Sequence, residues 1–552
     1  MPPAPESLEA SDSCREPGVR CRRVQPHLLT LAACTGLMFG LGAPPGGWWL
    51  LYWLAFAPLL VAARHPLTRS PWQAGLYGLV GGMGIGLVGF PWIGTMLVKF
   101  VHVPVLVGHA GLVFFSIWLA VPYAIWAVLL HLGPRRGFWA YVWAPATWVP
   151  LLLYWPVLFP YTPVLGFAQV PELVQLAEFG GAPLLEIMAM STSLLVIGAW
   201  RQPFSWARGM STALAATIPV MAFTHGVERM MQLEARAEDA RRWRIGIVQP
   251  NVPIGDMPIE ENFRRLREPS ARAEALGAEV VVWPEAGTYP YRLPRPVPDE
   301  HQLGRAGVLI GIEGPVLFGV GTRERGNPYS FNTFAYMSRE GVIEASYDKT
   351  RLVPIGERIP LVDPDWAREQ IPYISHLNEG TGPVIFDVRR TEGAPVRVGP
   401  LICLEDILAD YTREMAAHDG GVDIFVNATI DAWYGFSAEP WEHLALAQIR
   451  AVEHRVPLVR SVSTGVSAVI DHLGRLQAHV PSRPVSMENL DEWPPEQLVV
   501  DVVLPRNTAD EPTHYARGGF ALPWVCIAVA CGIGFMRRGE IGSRLRSARR
   551  EG

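Results

Sequence analysis

The sequence predicts a protein of two parts, a bundle of membrane-spanning helices joined to a layered α/β domain outside the lipid. Hydrophobic residues make up 49% of its 552 residues and charged residues only 18%, which is less charge than a soluble chain of this size carries. Apolar segments recur through the first 224 residues and once more near the carboxyl terminus. Between them, short Val- and Ile-rich runs alternate with turn-forming residues, as buried strands of an α/β domain do.

The apolar segments predict about eight crossings of a membrane. A crossing needs about twenty apolar residues, so the first two segments are short for one. Glycine and proline inside the segments are compatible with spans, because neighbouring helices satisfy the freed backbone groups. The predicted spans cover residues 28–43, 47–63, 74–97, 106–132, 138–158, 179–199, 208–224 and 519–536.

Basic residues predict which side of the membrane each loop faces. They occur in the tail 1–26 and then after every second span, at Arg64, Arg69, Arg135, Arg136, Arg201 and Arg208. The other loops carry almost no Lys or Arg, with Lys99 the main exception. Since cytoplasmic loops collect positive charge, the tail lies inside and the seven spans of residues 27–224 leave residue 225 outside. The eighth span returns the basic tail 537–552 to the cytoplasm.

Residues 225–518 are predicted to form one sheet-and-helix sandwich. The run Pro440–Glu453 has the pattern of a crossover helix. Predicted strands lie at Arg244–Gln249, Glu279–Trp283, Val308–Ile312, Val384–Val388, Val396–Ile402, Val422–Asn427, Pro457–Ser461, Ala468–Asp471 and Leu498–Val503.

Composition excludes several classes of function. A net charge of −5 and the lack of a basic stripe interleaved with aromatics argue against a nucleic-acid partner. The six cysteines show no CxxC or Cys/His spacing of a zinc site, so we expect neither a metal nor an organic cofactor. Cys403 is the only cysteine of the polar region 225–518, and its thiol can therefore stay free.

Three segments each place a reactive side chain where an apolar strand runs out into a loop. They are Val281–Ala286, which contains Glu285, Tyr347–Glu357, which contains Lys349, and Gly399–Asp406, which contains Cys403. Taken singly, such a cysteine is more often a small buried hydrophobe. In combination, a carboxylate can take the thiol proton, and an ammonium can stabilise both a thiolate and an oxyanion. The three segments together favour nucleophilic chemistry at an acyl carbon.

The motifs W-P-E, K-x-x-L-V-P-x-G-E and I-C-x-E resemble those of the nitrilase superfamily, whose triad is Glu–Lys–Cys in this chain order. The resemblance implies an αββα sandwich with Glu285 as general base, Lys349 as stabiliser of thiolate and oxyanion, and Cys403 as thiolate nucleophile. It also implies supporting active-site positions at Glu357, Glu405 and, less directly, Asn332. Structural roles for these last carboxylates, orienting Lys349 or the loops, are the alternative.

Within that superfamily the chain resembles the apolipoprotein N-acyltransferases. The similarity lies in Asp431–Gly435, in Pro440–Leu444 and, in the membrane half, in Phe159-Pro160 and Gln175–Ala177. It implies a multi-pass monomer of the bacterial inner membrane with its catalytic domain in the periplasm. Its substrates would be a membrane phospholipid as acyl donor and a diacylglyceryl apolipoprotein as acceptor. The aromatic candidates for a substrate loop beside the membrane lipids are Trp433, Tyr434 and Trp441.

The chain departs from that family's pattern at two places. Ile430 stands where the family commonly has Asn, and Ser463 stands within a segment that commonly carries Asn. Both changes remove amide groups and bear on substrate preference and rate. His443 is not expected to form a Cys–His dyad, because the family position is not catalytic. Two rival functions remain open: a membrane-tethered amidase or nitrilase that hydrolyses a small C–N substrate, and a catalytically silent scaffold.

Overall fold

The computed structural model describes residues 24–548 except 136, 256, 355, 360–361 and 371–375. The predicted cytoplasmic tails therefore fall largely outside it: residues 1–23 and 549–552 are not described, and from 537 to 548 only the backbone is. Arg136, one of the residues used to predict orientation, also lies outside the described residues.

Each predicted span contains helix. The apolar helices are Pro26–Gly42, Trp49–Arg64 (interrupted at Phe56), Pro71–Gly89, Trp92–Phe100, Val105–Leu132, Phe138–Tyr154, Ala182–Trp200, Trp206–Arg236 and Leu522–Ala548, with short turns at Leu165–Gln169, Pro171–Val174 and Ala177–Gly180. Among the residues described, 4 helices are long and apolar enough to cross a membrane, or 5 when one bent pair counts as a single span. The helical membrane part is confirmed, whereas the number of crossings stays a prediction.

Two predicted boundaries differ from the structure. The predicted third span is broken after Gly89, and the helices Pro71–Gly89 and Trp92–Lys99 meet at 57° because Pro91 cannot continue the backbone hydrogen bonding. The predicted end of the membrane region at residue 224 lies inside the continuous helix Trp206–Arg236.

Small residues let the helices of the bundle approach closely. A Cβ on Gly36 would lie 2.3 Å from the carbonyl oxygen of Gly81, and one on Gly78 would lie 2.3 Å from that of Tyr123. Both distances are below any real contact, so these positions require glycine. This is the usual way in which helices associate in lipid, where no hydrophobic effect drives them together.

The α/β domain contains thirteen described strands. They are β1 Arg241–Gln249, β2 Val280–Val282, β3 Arg292–Pro294, β4 Val316–Arg323, β5 Phe331–Met337, β6 Ile343–Asp348, β7 Phe386–Val388, β8 Val396–Ile402, β9 Ile424–Thr429, β10 Leu458–Val462, β11 Ser467–Ile470, β12 Leu476–Val480 and β13 Glu496–Leu504. One sheet has the order β13-β1-β2-β4-β5-β6 with β3 beside β4, and the other has the order β12-β11-β10-β9-β8-β7. β1, β2 and β4 are parallel, as are β8, β9 and β10.

The two sheets pack face to face with helices on their outer faces. Side chains of β1, β2 and β5 share one buried core with those of β8, β9 and β10. The Ser461 hydroxyl donates to the carbonyls of Val248 and Val282 at 3.0 Å each, which ties the sheets together. The helix Ile259–Ala275 covers the outer face of the first sheet, and the predicted crossover helix is Glu439–His454. The layered αββα architecture agrees with the prediction.

One predicted strand is wrong and several strands escaped prediction. Val308–Ile312 forms turns, because the Glu300 carboxylate accepts from the amides of Val308 (2.7 Å) and Leu309 (3.0 Å) that a strand would pair with a neighbour. β3, β4, β5, β6 and β12 were not predicted. β5 and β6 mix polar with apolar residues, so neither shows a clear apolar run, although they pair with each other as neighbours in the sequence.

A buried ion network joins the bundle to the α/β domain. Glu178 precedes the helix Ala182–Trp200, and its carboxylate accepts from Arg229 at 2.7 and 3.1 Å and from Arg455 at 2.8 Å. Arg455 also donates to Gln175 at 2.6 Å, and Gln175 donates to the carbonyl of Leu473 at 2.8 Å. We call this group of Gln175, Glu178, Arg229 and Arg455 the junction cluster.

Candidate active site

The three chemistry-bearing segments meet at one edge of the sandwich. Glu285 follows β2, Lys349 follows β6 and Cys403 follows β8. The loops after β2 and β8 belong to different sheets, and the packing of the two sheets brings them close enough for Glu285 to act on the Cys403 thiol. Lys349 joins them through its backbone N–H, which donates to the carbonyl of Asn332 at 2.8 Å.

Lys349 lies between two carboxylates. Its amine is 3.3 Å from Oε1 of Glu285 and 2.8 Å from Oε1 of Glu357. Asn332 donates to the same oxygen of Glu285 at 2.7 Å. The other oxygen of Glu357 accepts from the Val353 amide at 2.8 Å, so the loop after Lys349 folds back over its own amine. The Lys349 side chain is 0% exposed, and a charge so buried persists because it is paired on both sides.

Cys403 lies at a strained turn between β8 and a short 3₁₀ helix, Cys403–Ile407. Its φ of +54° is uncommon for a residue that is not glycine. Asn427 holds the turn by donating to the Cys403 carbonyl at 2.9 Å. Such strain is typical of functional positions, where surrounding contacts fix a conformation that the chain alone disfavours.

Glu405 organises both loops from beneath the site. Its Oε1 accepts from the hydroxyl of Tyr347 (2.7 Å) and from the amides of Thr350 (2.8 Å) and Arg351 (2.9 Å). Its Oε2 accepts from the amide of Ile402 at 2.8 Å, directly before the cysteine. Glu405 thus links the lysine loop to the cysteine turn, whereas Glu357 contacts the amine itself. Glu357 and Glu405, which the resemblance gave the same supporting role, therefore have different contacts in the structure.

Burial and neighbouring charges together shift the pKa values of the three reactive groups. Burial, together with Glu285 and Glu357, raises the pKa of the Cys403 thiol well above its usual range, and the opposing effects of Lys349 and Thr429 do not overcome them. Burial likewise raises the pKa of Glu285 although Lys349 acts against it. The pKa of Lys349 is raised well above normal, because the surrounding negative groups outweigh burial. The resting site therefore holds a neutral thiol beside an ammonium, and proton removal must accompany attack.

A cavity of about 400 Å³ opens beside these groups. Glu285, Asn332 and Glu357 are among its lining residues. Cys403 is 8% exposed and is not itself a lining residue. A substrate bound in the cavity would contact the carboxylate of Glu285, and its reacting carbon would have to approach the thiol.

The three aromatic candidates for a substrate loop take different positions. Trp433 lines the cavity and is 45% exposed. Tyr434 is buried and packs against the rings of Trp92 (5.1 Å between centroids) and Phe159 (6.1 Å), both from the membrane part. Trp441 packs against His479 with 5.5 Å between ring centroids. Only Trp433 is a lining residue of the cavity, whereas Tyr434 contacts the bundle.

Both departures from the resembled family lie at the cavity. Ile430 and Ser463 are both lining residues. Ile430 directly follows Thr429, the last residue of β9. The replacement of amides at these positions therefore changes the wall of the cavity rather than a remote surface.

His443 belongs to a buried charged group behind the cysteine turn. Its Nε2 lies 2.8 Å from Asp406, and its Nδ1 lies 3.4 Å from Asp431 and 3.6 Å from Glu439. Burial lowers the pKa of His443, but Asp406 and Asp431 outweigh it and raise the pKa to about 10.

Three residues of this group could hold a metal ion. Among the residues described, ligand atoms of Asp431, Glu439 and His443 lie within 4.8 Å of one another. The guanidinium of Arg460 forms an ion pair with Asp406 and lies 3.7 Å from Asp431. Burial and Asp431 raise the pKa of Glu439 well above normal, and with Glu439 neutral the two cations His443 and Arg460 match Asp406 and Asp431, so the group needs no metal for charge balance. The prediction of no metal stays a prediction.

Sequence reasoning missed two positions that shape the cysteine turn. Asn427 and Thr429 lie at the end of β9, where one anchors the Cys403 carbonyl and the other acts on its thiol. A signal was available, because the end of a parallel strand beside β8 must reach the same edge as Cys403. The missing information was the pairing of β8 with β9.

Comparisons with known proteins identify two matching domains in this chain. Residues 244–491 match the carbon-nitrogen hydrolase family, and residues 35–195 match the apolipoprotein N-acyltransferase N-terminal domain. The apolipoprotein N-acyltransferase of Geobacter metallireducens is 26% identical over 92% of this chain and 95% of its own length. That of Gloeobacter violaceus is 30% identical over 84% of this chain and 87% of its own.

Among solved structures, an amidase from Nesterenkonia matches with 18% identity and a TM-score of 0.35, covering 49% of this chain and 92% of its own. The two matched domains define a membrane-attached carbon-nitrogen hydrolase architecture. The chain belongs to the apolipoprotein N-acyltransferase family and is an acyltransferase, which confirms the family resemblance.

Proposed function

We propose that this protein moves an acyl chain from a membrane phospholipid to the N-terminal amine of a diacylglyceryl-cysteine in apolipoproteins, by way of a thioester on Cys403. Glu285 takes the thiol proton as the sulfur attacks an ester carbonyl of the phospholipid. The tetrahedral oxyanion collapses, a lysophospholipid leaves with a proton, and the acyl group stays on sulfur. The amine then attacks the thioester, and Glu285 accepts its proton while the thiol is restored.

The observation that carries the proposal is the buried Glu285–Lys349–Glu357 contact beside Cys403. Lys349 is 0% exposed and 3.3 Å from Glu285, so an ammonium is fixed next to the proton acceptor. Positive charge held in a dry site stabilises a developing oxyanion without reorganisation. The raised pKa of Glu285 suits a group that must both take and return a proton.

The position of the site beside the membrane part supports lipid substrates. The loop that carries Trp433 also carries Tyr434, whose ring contacts Trp92 and Phe159. Trp92 in turn donates to Glu442 of the domain at 3.0 Å. A site far from the bilayer would expose acyl chains to water at a cost of about 0.8 kcal/mol per CH₂ group. A loop seated on the bundle avoids that cost.

The proposed setting is the bacterial inner membrane, with about eight crossings and the catalytic domain in the periplasm. The alternation of basic loops with apolar segments supports this orientation. A monomer suffices, because Glu285, Lys349 and Cys403 all come from one chain.

Intact-protein mass spectrometry after exposure to phospholipid vesicles tests the proposal. The wild-type protein should gain the mass of one acyl chain, and subsequent addition of a diacylglyceryl lipopeptide should remove it and yield the N-acylated peptide. Cys403→Ala should show neither change. Cys526→Ala serves as the matched control, since Cys526 is a second buried cysteine far along the chain in the last helix.

The rivals make different predictions in the same experiment. A tethered amidase would hydrolyse small amides and leave the lipopeptide unmodified. A silent scaffold would bind lipopeptide without any acyl adduct on Cys403. Either result would refute acyl transfer.

A further inference from the structure

The cavity beside Cys403 has lining residues of two chemical kinds. Some are polar and include the carboxylates of Glu285 and Glu357 with the amide of Asn332. Others are aliphatic or aromatic and include Val252, Ile254, Ile430 and Trp433. We call these four residues the apolar wall. A cavity so divided matches a molecule with a polar reacting end and a hydrocarbon end.

Ile430 is a member of the apolar wall that lies beside the loop carrying Glu285. It follows Thr429, and successive side chains of an extended chain point to opposite sides. The Thr429 side chain acts on the Cys403 thiol, and Ile430, on the other face of the chain, lines the cavity. Its δ1 carbon lies 3.3 Å from where a Cβ on Gly287 would stand, two residues after Glu285.

The second departure from the family supports the same wall. The Ser463 hydroxyl donates to the carbonyl of Val252 at 3.4 Å, and that of Thr464 donates to the same oxygen at 2.7 Å. These bonds hold Val252, the next member of the wall, in place. An Asn at position 430 would add a hydrogen-bonding amide to the cavity lining, whereas Ile430 keeps that position apolar, and the Ser463 hydroxyl is already bonded to the Val252 carbonyl.

We propose that Ile430 is a specificity-determining residue, whose side chain with the rest of the apolar wall seats the first methylene groups of the acyl chain that Cys403 accepts. The inference rests on the proposed function, because it requires an acyl group at Cys403. Beyond that function, the inference states that this protein selects acyl donors by the length of the hydrocarbon chain attached to the reacting carbonyl. Burial of each methylene contributes about 0.8 kcal/mol, so the loss of about two methylene contacts lowers selectivity about tenfold.

Acylation kinetics with synthetic esters test this role. The full-length protein in detergent micelles is given p-nitrophenyl acetate or p-nitrophenyl octanoate, and kcat/KM is taken from p-nitrophenol release. The ratio of octanoate to acetate should fall about tenfold in Ile430→Asn. Ile430→Leu keeps the volume and apolar character, and its ratio should stay within about twofold of wild type.

A second variant guards against a folding defect. Ile430→Thr keeps the branched shape at the β carbon but replaces apolar carbon with a hydroxyl. Its ratio of kcat/KM for octanoate to that for acetate should lie between those of Ile430→Asn and wild type. An unchanged ratio in both polar variants, or an equal fall in Ile430→Leu, overturns the inference while leaving the proposed function intact. Failure of the wild type to form an acyl adduct with either ester refutes the proposed function and the inference together.

Discussion

The junction cluster and the active site are both buried groups of charged side chains, yet their charge balance is opposite. In the junction cluster one carboxylate, Glu178, lies between two guanidiniums, those of Arg229 and Arg455. In the active site one ammonium, Lys349, lies between two carboxylates. Burial raises the pKa of Glu178, but the two arginines overcome it and hold that pKa below the usual range. Burial raises the pKa of Glu285, and one ammonium does not overcome it.

We propose that this difference reflects two roles. At the junction the two guanidiniums keep Glu178 ionised, so its ion pairs hold the domain on the bundle. In the active site the raised pKa values of Glu285 and Cys403 suit a proton that moves between them. Strongly perturbed groups with a specific charged partner in a cleft are typical of catalytic sites. The predictions below test this division, beginning with the largest effect.

Removal of the central ammonium should have the largest effect. Lys349→Met leaves Glu285 and Glu357 without the cation between them and removes the oxyanion stabiliser, so the rate of Cys403 acylation should fall about 10³-fold. Adduct formation by mass spectrometry measures it. Arg351→Met, two residues away with a 45% exposed side chain, is the matched control and should lose less than about twofold. Equal losses in the two variants would contradict the role of Lys349.

Removal of the central carboxylate at the junction should act on stability instead. Glu178→Gln leaves Arg455 buried and unpaired, and it should lower the free energy of unfolding by about 3 kcal/mol. Thermal unfolding in detergent measures the change. Glu234→Gln, which breaks a half-exposed pair with Arg475, should cost about 0.5 kcal/mol or less. An acylation defect in Glu178→Gln at temperatures where it remains folded would show that the two clusters are not separate.

Glu405 tests whether a carboxylate can serve the site without touching the reacting groups. Glu405→Gln replaces one acceptor oxygen with a donor facing a backbone N–H, at a cost of about 2 kcal/mol in stability. KM for the donor should change less than kcat, because the loops of Lys349 and Cys403 lose their common anchor. Glu414→Gln, half exposed, is the control. A full loss of acylation with normal stability would give Glu405 a catalytic role instead.

The pH dependence of acylation should follow Glu285. Glu285 must be ionised to take the thiol proton, and its pKa is raised. The acylation rate should therefore fall as the pH decreases, and this fall should occur at a higher pH than the value of about 4.3 at which an ordinary Glu titrates. The curve should follow about a single ionisation. Stopped-flow acylation between about pH 5 and 8 measures this. A flat profile over that range would exclude a raised pKa for the base.

The smallest effect is expected at the surface. Arg264 pairs with Glu261 at 2.6 Å and Glu268 at 3.0 Å, but its side chain is 44% exposed. Arg264→Ala should change the free energy of unfolding by about 0.5 kcal/mol or less and leave acylation at the wild-type rate. Thermal unfolding measures the change. A loss of more than about 2 kcal/mol in the free energy of unfolding would mean that side-chain exposure does not distinguish stabilising ion pairs from ion pairs without effect in this protein.

Local patterns carried much of the prediction. Val396–Ile402 and Pro440–Glu453 were predicted almost to the residue, because a buried strand and a buried crossover helix each leave a continuous or periodic apolar signal. β5 and β6 left none, since their mixed residues are settled by partners across the sheet. The break after Gly89 lies within an apolar run. Hydropathy indicates how long such a run is, but it does not indicate whether the helix axis bends within it.

The sequence by itself determined the two-part architecture and the order of Glu285, Lys349 and Cys403, because apolar runs, turn residues and short motifs are local properties of a chain. Only the tertiary structure decided that Lys349 lies between two carboxylates, that the thiol rests neutral and that Ile430 faces the cavity. Those facts depend on the distances between side chains and on the exclusion of water from around them. Some of these side chains are far apart in the sequence, as are Lys349 and Glu285, which are separated by 64 positions. Such distances exist only once the sheets have paired.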